Sequence, residues 1–546
     1  MSSPLLDVIN LQTSFGEGEH TECAVDGISF SINRGETFVL LGESGSGKSV
    51  TALSIMRLLP AAARINHGNI ILDGVDLLAL PESAMRDVRG GRIAMIFQEP
   101  QTSLNPVLTA GQQIGETLKR HKNLRGSEQR RRSIELLDAV GIPEPDRRID
   151  EYPHQFSGGM KQRIMIAIAL AGEPELLIAD EPTTALDVTI QAQVLDILRQ
   201  LQKETGMAIL FITHDLAVAS EMADHVAVMR YGKIVEQNSR DSFFGNPSHP
   251  YSQELFAALP SKAKRDSEAQ YSHTKWKDNG EDTLLKVRDL KVHFPIKKGF
   301  LKKTVGYVRA VDGVSIDIYS GQTLAIVGES GSGKTTMGKG ILQLIHATDG
   351  SVVFDGQELT QLKGKALRQK RSDIQIIFQD PYSSMNPRMM IGDVIAEGMV
   401  AQGIGDSRQQ RMKRVDELLE KVGLEPRHKN RYPHEFSGGQ RQRICIARAL
   451  AVEPKLIVCD EPTSALDVSV QAQILELLKD LQKNMGLAYL FITHNISVVE
   501  YLAHYVAVMY QGKIVEQGTV DEVLTNPQNS YTQRLLAAVP RIKTGT

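Results

Sequence analysis

Short runs of consecutive apolar residues recur along the chain, and each is followed by a glycine-rich or polar turn and a longer helical pattern. Such runs occur at 38–41, 94–97, 176–179, 209–212, 324–327 and 456–459. Uninterrupted apolar runs of this length are typical of strands that are covered on both faces, as in parallel sheets. The pattern therefore predicts an α/β fold with mostly parallel sheets.

The chain also contains an internal duplication. Gly-Glu-Ser-Gly-Ser-Gly-Lys, Tyr-Pro-His-x-Phe-Ser-Gly-Gly, Asp-Glu-Pro-Thr and Phe-Ile-Thr-His each occur twice. These motifs begin at Gly42 and Gly328, Tyr152 and Tyr432, Asp180 and Asp460, and Phe211 and Phe491. The offset is 286 residues for the first pair and 280 for the others. This period is far longer than that of a solenoid repeat, so it predicts a tandem duplication of a whole domain.

Composition fits two soluble domains. We expect the first domain at 4–260 and the second at 284–541, joined by a polar, flexible linker at 261–283. The net charge of −3 gives no reason to expect a nucleic-acid partner. The three cysteines lack metal-type spacing, and neither a secretory signal nor an apolar stretch long enough to span a membrane is visible. We expect a cytosolic protein without a lipid anchor.

Each copy contains a phosphate-binding loop between a buried strand and a helix. We call residues 42–49 and 328–335 the phosphate loops. Their glycines let backbone N–H groups face phosphates, and the helix N-terminus favours an anion. Lys48 and Lys334 are placed to reach the terminal phosphates of a nucleotide, while the hydroxyls of Ser49 and Thr335 suit Mg²⁺.

A second pair of motifs adds carboxylates at the end of an apolar strand. Asp180 and Asp460 are placed to hold Mg²⁺, and Glu181 and Glu461 to polarise an attacking water as general bases. Acidic residues in this position can also simply cap the next helix. Their duplication beside phosphate loops favours the catalytic role.

The Ser-Gly-Gly motifs, residues 157–159 and 437–439, each precede a long helical pattern. A serine followed by glycines is a common helix start, with the serine as N-cap. The same geometry also makes an anion site, because a hydroxyl and bare amides point outward. The residues alone favour neither interpretation.

Taken together, 6–260 and 284–540 each resemble the ATP-binding cassette of ABC transporters, with every diagnostic motif present twice and in family order. The resemblance implies two tandem P-loop NTPase domains, each with a mostly parallel sheet core, an antiparallel β subdomain and a helical subdomain. It also implies ATP and Mg²⁺ as cofactors. The residue roles in the next two paragraphs are those that this resemblance implies.

The resemblance assigns a role to each motif. It makes Gln98 and Gln379 sensors of Mg²⁺ and of the attacking water, and His214 and His494 the residues that contact the γ-phosphate. Asp187 and Asp467 fit the loop that crosses the interface between cassettes. With Glu181 and Glu461, the glutamines and histidines form the expected catalytic set.

The expected ATP-binding residues are Phe15, Gly42, Ser44, Gly45, Gly47, Lys48, Ser49, Phe294, Gly328, Ser330, Gly331, Gly333, Lys334, Thr335, Ser157, Gly158, Gly159, Ser437, Gly438 and Gly439. The expected Mg²⁺ residues are Ser49, Gln98, Asp180, Thr335, Gln379 and Asp460.

In the family each ATP lies between the phosphate loop of one domain and the Ser-Gly-Gly motif of the other. We therefore expect one site to combine Lys48 with Ser437 and the other to combine Lys334 with Ser157, so that the two halves form an intramolecular pseudo-dimer. The first motif departs mildly from the family, with Met160 where the second has Gln440, and Ile168 where the second has Arg448. Neither position is catalytic, and we expect both sites to hydrolyse ATP.

Further segments resemble the di- and oligopeptide import ATPases, among them Asn-Pro-Ser-His-Pro-Tyr at 246–251. This subclass implies two transmembrane permease subunits and an extracytoplasmic solute-binding protein as partners. It also implies a peripheral position on the cytoplasmic face of the bacterial inner membrane. The alternatives are a soluble twin-cassette ATPase of translation or DNA repair, and a sugar-importer ATPase. The short neutral linker, the absence of zinc-type cysteines and the intact second set of motifs disfavour them.

Overall fold

The computed structural model describes residues 3–16, 21–184, 186–260, 283–298, 303–464 and 466–542. The chain divides into two compact units, one built around Met1–Leu186 and Ile190–Ala257 and the other around Ala258–Val539. The linker predicted at 261–283 lies, except for Thr283, outside the described residues. Among the residues that the structure describes, no helix combines the length and the apolar character needed to cross a membrane.

Each unit repeats one set of strands. In the first half they are β1 (Leu6–Phe15), β2 (Glu22–Ile32), β3 (Thr37–Leu41), β4 (Ala63–Leu72), β5 (Val75–Asp76), β6 (Ile93–Ile96), β7 (Leu176–Asp180), β8 (Ala208–Thr213), β9 (His225–Arg230) and β10 (Lys233–Ser239). In the second half they are β11 (Thr283–Lys298), β12 (Lys303–Tyr319), β13 (Thr323–Val327), β14 (Asp349–Phe354), β15 (Gln357–Glu358), β16 (Ile374–Ile377), β17 (Leu456–Asp460), β18 (Ala488–Ile492), β19 (Tyr505–Tyr510) and β20 (Lys513–Thr519).

The main sheet of the first half runs in the order β10-β9-β3-β8-β7-β6, parallel except for the edge pair β10-β9. The main sheet of the second half has the matching order β20-β19-β13-β18-β17-β16, again with only its β19-β20 edge pair antiparallel. Every residue of β3, β7 and β8 is buried. This burial on both faces explains the uninterrupted apolar runs and confirms the predicted parallel sheets.

A smaller antiparallel sheet lies beside each main sheet, in the orders β2-β1-β4-β5 and β12-β11-β14-β15. Each half therefore has the predicted α/β architecture with an antiparallel part. In the first half, apolar side chains of β1, β2 and β4 share one core with those of β3, β7 and β8. The corresponding strands of the second half share a core in the same way.

Helices complete both units. In the first half they span Lys48–Met56, Glu82–Val88, Pro100–Ser103, Ala110–His121, Gly126–Ala139, Pro145–Arg148, Gly158–Leu170, Val188–Thr205, Leu216–Met222, Arg240–Gly245 and Pro250–Ala258. In the second half they span Lys334–Ile341, Gly364–Lys370, Ile391–Gln402, Arg408–Lys421, Gly438–Leu450, Val468–Met485, Ile496–Leu502, Val520–Thr525 and Ser530–Ala537. The helices between the glutamine and the Ser-Gly-Gly motif of each half form the predicted helical part; in the second half they share a core with the sheet.

Parallel strands bring their carboxyl ends to one edge of the sheet. The phosphate loop of the first half follows β3, the Asp180–Glu181 pair ends β7, and His214 follows β8. The topology therefore collects at one edge three motifs that are more than 30 residues apart along the chain.

Candidate functional site

The first phosphate loop is a backbone cradle that only glycine can build. A Cβ on Gly42 would lie 2.5 Å from the carbonyl oxygen of Met229, and one on Gly47 would lie 2.4 Å from that of Ala24. Gly47 also has a φ of 105°, a conformation that favours glycine. The helix that begins at Lys48 therefore starts from a loop packed closely against β2 and β9.

The loop lysines are buried and bound to the loop itself. The ammonium group of Lys48 donates to the carbonyl oxygens of Gly42 and Glu43 at 2.7 and 2.8 Å. Lys334 does the same with Gly328 and Glu329, at 2.7 and 2.9 Å. Both ammonium groups are thus held against the loop by its carbonyl oxygens. A glycine-rich loop with a cation at a helix N-terminus is the arrangement that binds phosphate groups.

A hydroxyl and a carboxylate meet at the end of each loop. Ser49 donates to Asp180 at 3.1 Å, and Thr335 donates to Asp460 at 2.9 Å. Burial raises the pKa of Asp180 to about 6 and also raises that of Asp460. Hydroxyl and carboxylate oxygens are the ligands that Mg²⁺ prefers, and a cation there would offset the cost of burying the carboxylate. The donor set fits Mg²⁺.

Glu181 is the centre of a polar cluster in the first half. Its carboxylate accepts a hydrogen bond from the Gln98 amide at 3.0 Å and lies 3.2 Å from Nδ1 of His214. Burial raises the pKa of Glu181, but His214 and the hydroxyl of Thr184 outweigh burial and lower it to about 2. The carboxylate is therefore ionised at neutral pH and fixed in direction.

The second half repeats this cluster around Glu461. Gln379 donates to its carboxylate at 2.9 Å, and Nδ1 of His494 lies 3.3 Å away. Burial again raises the pKa of Glu461, and His494 and Gln379 again lower it by more. Both glutamates hold a left-handed backbone conformation, with a φ of 47°. Strain of this kind in a non-glycine residue is concentrated at functional sites.

The Ser-Gly-Gly motifs form helix starts, as one of the two interpretations expected. The hydroxyl of Ser157 accepts from the backbone N–H of Met160 at 3.4 Å, and that of Ser437 from Gln440 at 3.4 Å. A Cβ on Gly159 would lie 2.7 Å from the side chain of Ile190. Ser157 and Gly158 are nevertheless exposed, so the serine and the first turn of the helix face solvent.

The predicted aromatic residues lie on the antiparallel sheets. Phe15 is half-buried at the end of β1, and Phe294 is 41% exposed on β11. Within each half the structure brings the predicted lysine, aspartate, glutamate, glutamine and histidine close together, and their catalytic and binding roles stay predictions. Phe15 and Phe294 stay predictions as ATP-binding residues.

Sequence reasoning missed one hydroxyl at each glutamate. Thr184 donates to the carboxylate of Glu181 at 2.8 Å. Ser464, at the matching position, instead donates to the backbone carbonyl of Glu461 at 3.1 Å. The duplicated hydroxyl three residues after each glutamate was a signal that could have revealed both.

Two protein-family models match the chain. The family model described as ABC transporter matches residues 25–184 and 311–464, more than half of the chain. The chain belongs to the ABC transporter family. A second model, described as the oligopeptide/dipeptide transporter C-terminal region, matches residues 235–279 and 515–546, so that each cassette is followed by one copy.

Curated relatives resemble the chain over almost its whole length. A peptidoglycan transport ATP-binding protein, YejF of Agrobacterium fabrum, is 50% identical, and the match covers 99% of this chain and 97% of the relative. A glutathione import ATP-binding protein, GsiA of Pectobacterium atrosepticum, is 48% identical over 98% of this chain and 89% of the relative. The names of both relatives describe ATP-binding proteins of transport systems.

Among solved structures, the ATP-binding cassette MJ0796 bound to ADP and Pi is 29% identical. The match covers 43% of this chain and 98% of that one, with a TM-score of 0.40. Membership of the ABC family makes this chain an ATPase that uses ATP and Mg²⁺ and is coupled to transport. The resemblance inferred from the motifs is thereby confirmed.

Proposed function

We propose that the chain hydrolyses ATP at two composite sites and so powers import of peptides or peptide-like solutes through a membrane permease. The observation that supports hydrolysis at both sites is the repeated cluster around Glu181 and Glu461. In each half a glutamine and a histidine hold the glutamate at distances that agree within 0.1 Å. A half that had lost its activity would not need to keep this arrangement.

The residues of each site have different roles in binding and hydrolysing ATP. The Glu181 carboxylate is ionised at neutral pH, and the ionised form is the one that can accept a proton from water. Gln98 binds the same carboxylate and is placed to orient that water. Lys48 and the loop amides bind the phosphates, and the backbone cradle keeps them in place. Bound Mg²⁺, held by Ser49 and Asp180, would neutralise phosphate charge.

We propose further that each site is completed by the Ser-Gly-Gly motif of the opposite half. One site would combine Lys48, Glu181 and His214 with Ser437, and the other Lys334, Glu461 and His494 with Ser157. The exposed serine and helix N-terminus of each motif support this, since they form an anion site directed toward solvent. Asp187 and Asp467 would lie where the two halves meet.

Full-length variants test this exchange. In a Glu461→Gln background, the ATPase activity that remains comes from the site of Lys48. We expect Ser437→Arg to lower that activity on the order of 10²–10³-fold, because a bulky cation displaces the γ-phosphate. Ser157→Arg should leave it nearly unchanged. A Glu181→Gln background should reverse the two effects.

Steady-state ATPase rates, measured above that of the Glu181→Gln/Glu461→Gln double variant, provide the comparison. If Ser157→Arg rather than Ser437→Arg stopped the site of Lys48, each half would use its own motif and the composite-site proposal would be wrong. If neither arginine had an effect, the Ser-Gly-Gly motifs would serve only as helix caps.

The proposed cargo class rests on the two copies of the oligopeptide/dipeptide transporter region and on the transport named for the relatives. The partners would be two transmembrane permease subunits and an extracytoplasmic solute-binding protein. The chain would then sit peripherally on the cytoplasmic face of the membrane. Co-expression with the permease pair should move the chain to the membrane fraction, and peptide-loaded binding protein should stimulate its ATPase activity. Stimulation by a maltose-loaded system instead would contradict the cargo class.

A further inference from the structure

The segment after each cassette reaches back to the phosphate loop through a tyrosine. Tyr251, on helix Pro250–Ala258, is 3% exposed, and its hydroxyl donates to the Glu43 carboxylate at 3.0 Å. Tyr531, on helix Ser530–Ala537, is 5% exposed, and its hydroxyl accepts from the backbone N–H of Glu329 at 3.1 Å. Both tyrosines contact the residue that follows the first glycine of the loop.

That loop residue also holds the lysine. The carbonyl oxygen of Glu43 accepts from Lys48, and that of Glu329 accepts from Lys334. In both halves the buried tyrosine and the lysine ammonium group therefore bind the same loop residue, the tyrosine through the side chain of Glu43 or the N–H of Glu329 and the lysine through the carbonyl oxygen. A change at the tyrosine acts on the lysine through a single residue.

The tyrosines are themselves fixed, by different residues that serve the same purpose. In the first half Glu236 accepts from the N–H groups of Ser248 and His249, and the ring of His249 accepts from the N–H of Tyr251. These bonds hold the start of the tyrosine helix against β10. They give Ser248 and His249 of the Ser-His-Pro-Tyr sequence a structural role.

The second half reaches the same geometry without histidine or the proline that follows it. Glu516 accepts from the N–H groups of Gln528 and Asn529, and the side chain of Asn529 accepts from the N–H of Tyr531. The rings are also covered: Arg230 lies 4.2 Å from the ring centre of Tyr251, and the ring of Tyr510 lies 4.2 Å from that of Tyr531. The tyrosine contact is thus retained although the sequence that supports it has changed.

We propose that Tyr251 and Tyr531 are positioning residues that fix the phosphate loop of their own half and thereby set its affinity for ATP. The inference rests on the proposed role of Lys48 and Lys334 in binding nucleotide. A loop that is held in its binding conformation before the nucleotide arrives loses less freedom on binding. Removing the tyrosine hydroxyl should therefore weaken binding more than it slows the chemical step.

The first experiment measures the dissociation constant of a fluorescent ATP analogue with Mg²⁺ on the full chain. A Lys334→Ala background leaves the loop of Lys48 as the binding site. In this background Tyr251→Phe should raise the dissociation constant about three- to tenfold, because that is the usual effect of losing one hydrogen bond. Tyr231→Phe is the matched control, because Tyr231 is 81% exposed and lies in the same half. It should change nothing. Tyr531→Phe should act in the same way in a Lys48→Ala background.

A second experiment uses the different atoms that the two tyrosines contact. Tyr251 binds the side chain of Glu43, so Tyr251→Phe and Glu43→Ala should be non-additive, while Glu43→Gln keeps an acceptor and should bind ATP nearly as the parent does. Tyr531 binds the backbone of Glu329, so Tyr531→Phe and Glu329→Ala should be additive. In otherwise unchanged protein, Tyr251→Phe should raise KM while kcat stays within about twofold.

The outcomes distinguish the positioning role of the tyrosines from the nucleotide site on which that role depends. An unchanged dissociation constant in Tyr251→Phe, or a rise matched by Tyr231→Phe, overturns the positioning role. A rise that accompanies a drop in melting temperature and spreads equally to the other site also overturns it, since the tyrosine would then only stabilise the fold. If Lys48→Ala itself left binding at its own loop intact, the proposed nucleotide site would be wrong, independently of the tyrosines.

Discussion

The two halves agree closely at Glu181 and Glu461, the proposed general bases, and differ in a hydroxyl contact beside them. Gln98 and Gln379 donate to the glutamate carboxylates at 3.0 and 2.9 Å. Three residues after each glutamate the halves diverge: Thr184 donates to the carboxylate of Glu181, whereas Ser464 donates to the backbone carbonyl of Glu461. The contacts of the proposed catalytic cluster are therefore the same in both halves, while a neighbouring hydroxyl contact differs.

The helix after each Ser-Gly-Gly motif shows the same division. Gln440 closes a capping box by accepting, with its side chain, the N–H of Ser437 at 3.1 Å, while Met160 cannot. Arg448 donates to the carbonyl oxygen of Ser384 at 2.6 Å, while Ile168 has no group to donate. The second helix is therefore tied to its neighbours by polar contacts that the first replaces with apolar side chains.

Removal of the catalytic carboxylates should have the largest effect. We expect Glu181→Gln and Glu461→Gln each to slow hydrolysis at its own site by about 10²–10⁴-fold, since each removes a general base. Each single variant should keep at most the turnover of the other site, and the double variant almost none. Steady-state ATPase rates measure this.

Glu204→Gln is the matched control, because Glu204 is an exposed glutamate of the same half and should leave the rate unchanged. One single variant at the wild-type rate, with the other inactive, would show that only one site hydrolyses ATP. The close agreement of the two clusters would then reflect the fold alone.

The sequence was sufficient for those parts of the site that depend on local chemistry. An apolar run followed by glycines and lysine specifies a strand, a cradle and a helix, because only glycine tolerates the approach of Ala24 and Met229. Duplication made the assignment secure. The family resemblance then supplied the roles of Gln98 and His214, which sit 83 and 33 residues from Glu181.

Other contacts could not be read from the sequence, for physical reasons. Tyr251 contacts Glu43 across 208 residues, and although each lies in a recognisable motif, neither motif indicates that the two residues meet. His249 and Asn529 accept the same backbone bond at equivalent helix starts with different side chains, and this equivalence is not visible in the sequence. Long-range pairs and equivalent acceptors require coordinates.

The next largest effect should come from Arg448. We expect Arg448→Ile, which gives the second half the residue of the first, to cost about 1.5–3 kcal/mol locally, because a charged donor leaves the Ser384 carbonyl. Amide hydrogen exchange of 380–388 should then quicken. Arg388→Ile, an exposed arginine in the same loop, is the control. Unchanged exchange in Arg448→Ile would mean that apolar packing alone holds this loop in both halves.

A smaller effect should follow at Glu236. Burial raises the pKa of Glu236, but hydrogen bonds from Ser252, Ser248 and His249 lower it to about 2. A pKa below the ordinary glutamate value means stability that is complete above about pH 4.5 and lost as the pH falls toward 2.

Glu236→Gln should imitate the protonated state at neutral pH and cost about 1–2 kcal/mol in the helix of Tyr251. Hydrogen exchange of 248–256, corrected for intrinsic rates, measures it. Glu516→Gln should cost less in the second half, where the carboxylate accepts fewer described bonds. Equal effects in the two halves would contradict the stronger anchoring assigned to the first.

The smallest effect should appear at the capping boxes. Gln440→Met removes one of the two reciprocal bonds that start the second Ser-Gly-Gly helix, and Met160→Gln offers that bond to the first. We expect a loss of about 0.5–1 kcal/mol in the first case and a gain of similar size in the second. Exchange of the amides in the first helical turn reports both, with the opposite half of the same molecule as internal reference.

ATPase rates should change less than twofold, because neither side chain belongs to the glutamate clusters. A rate that fell by tenfold or more in Gln440→Met, with exchange unchanged, would instead make Gln440 part of the ATP site, and Met160 would then mark a true functional difference between the halves.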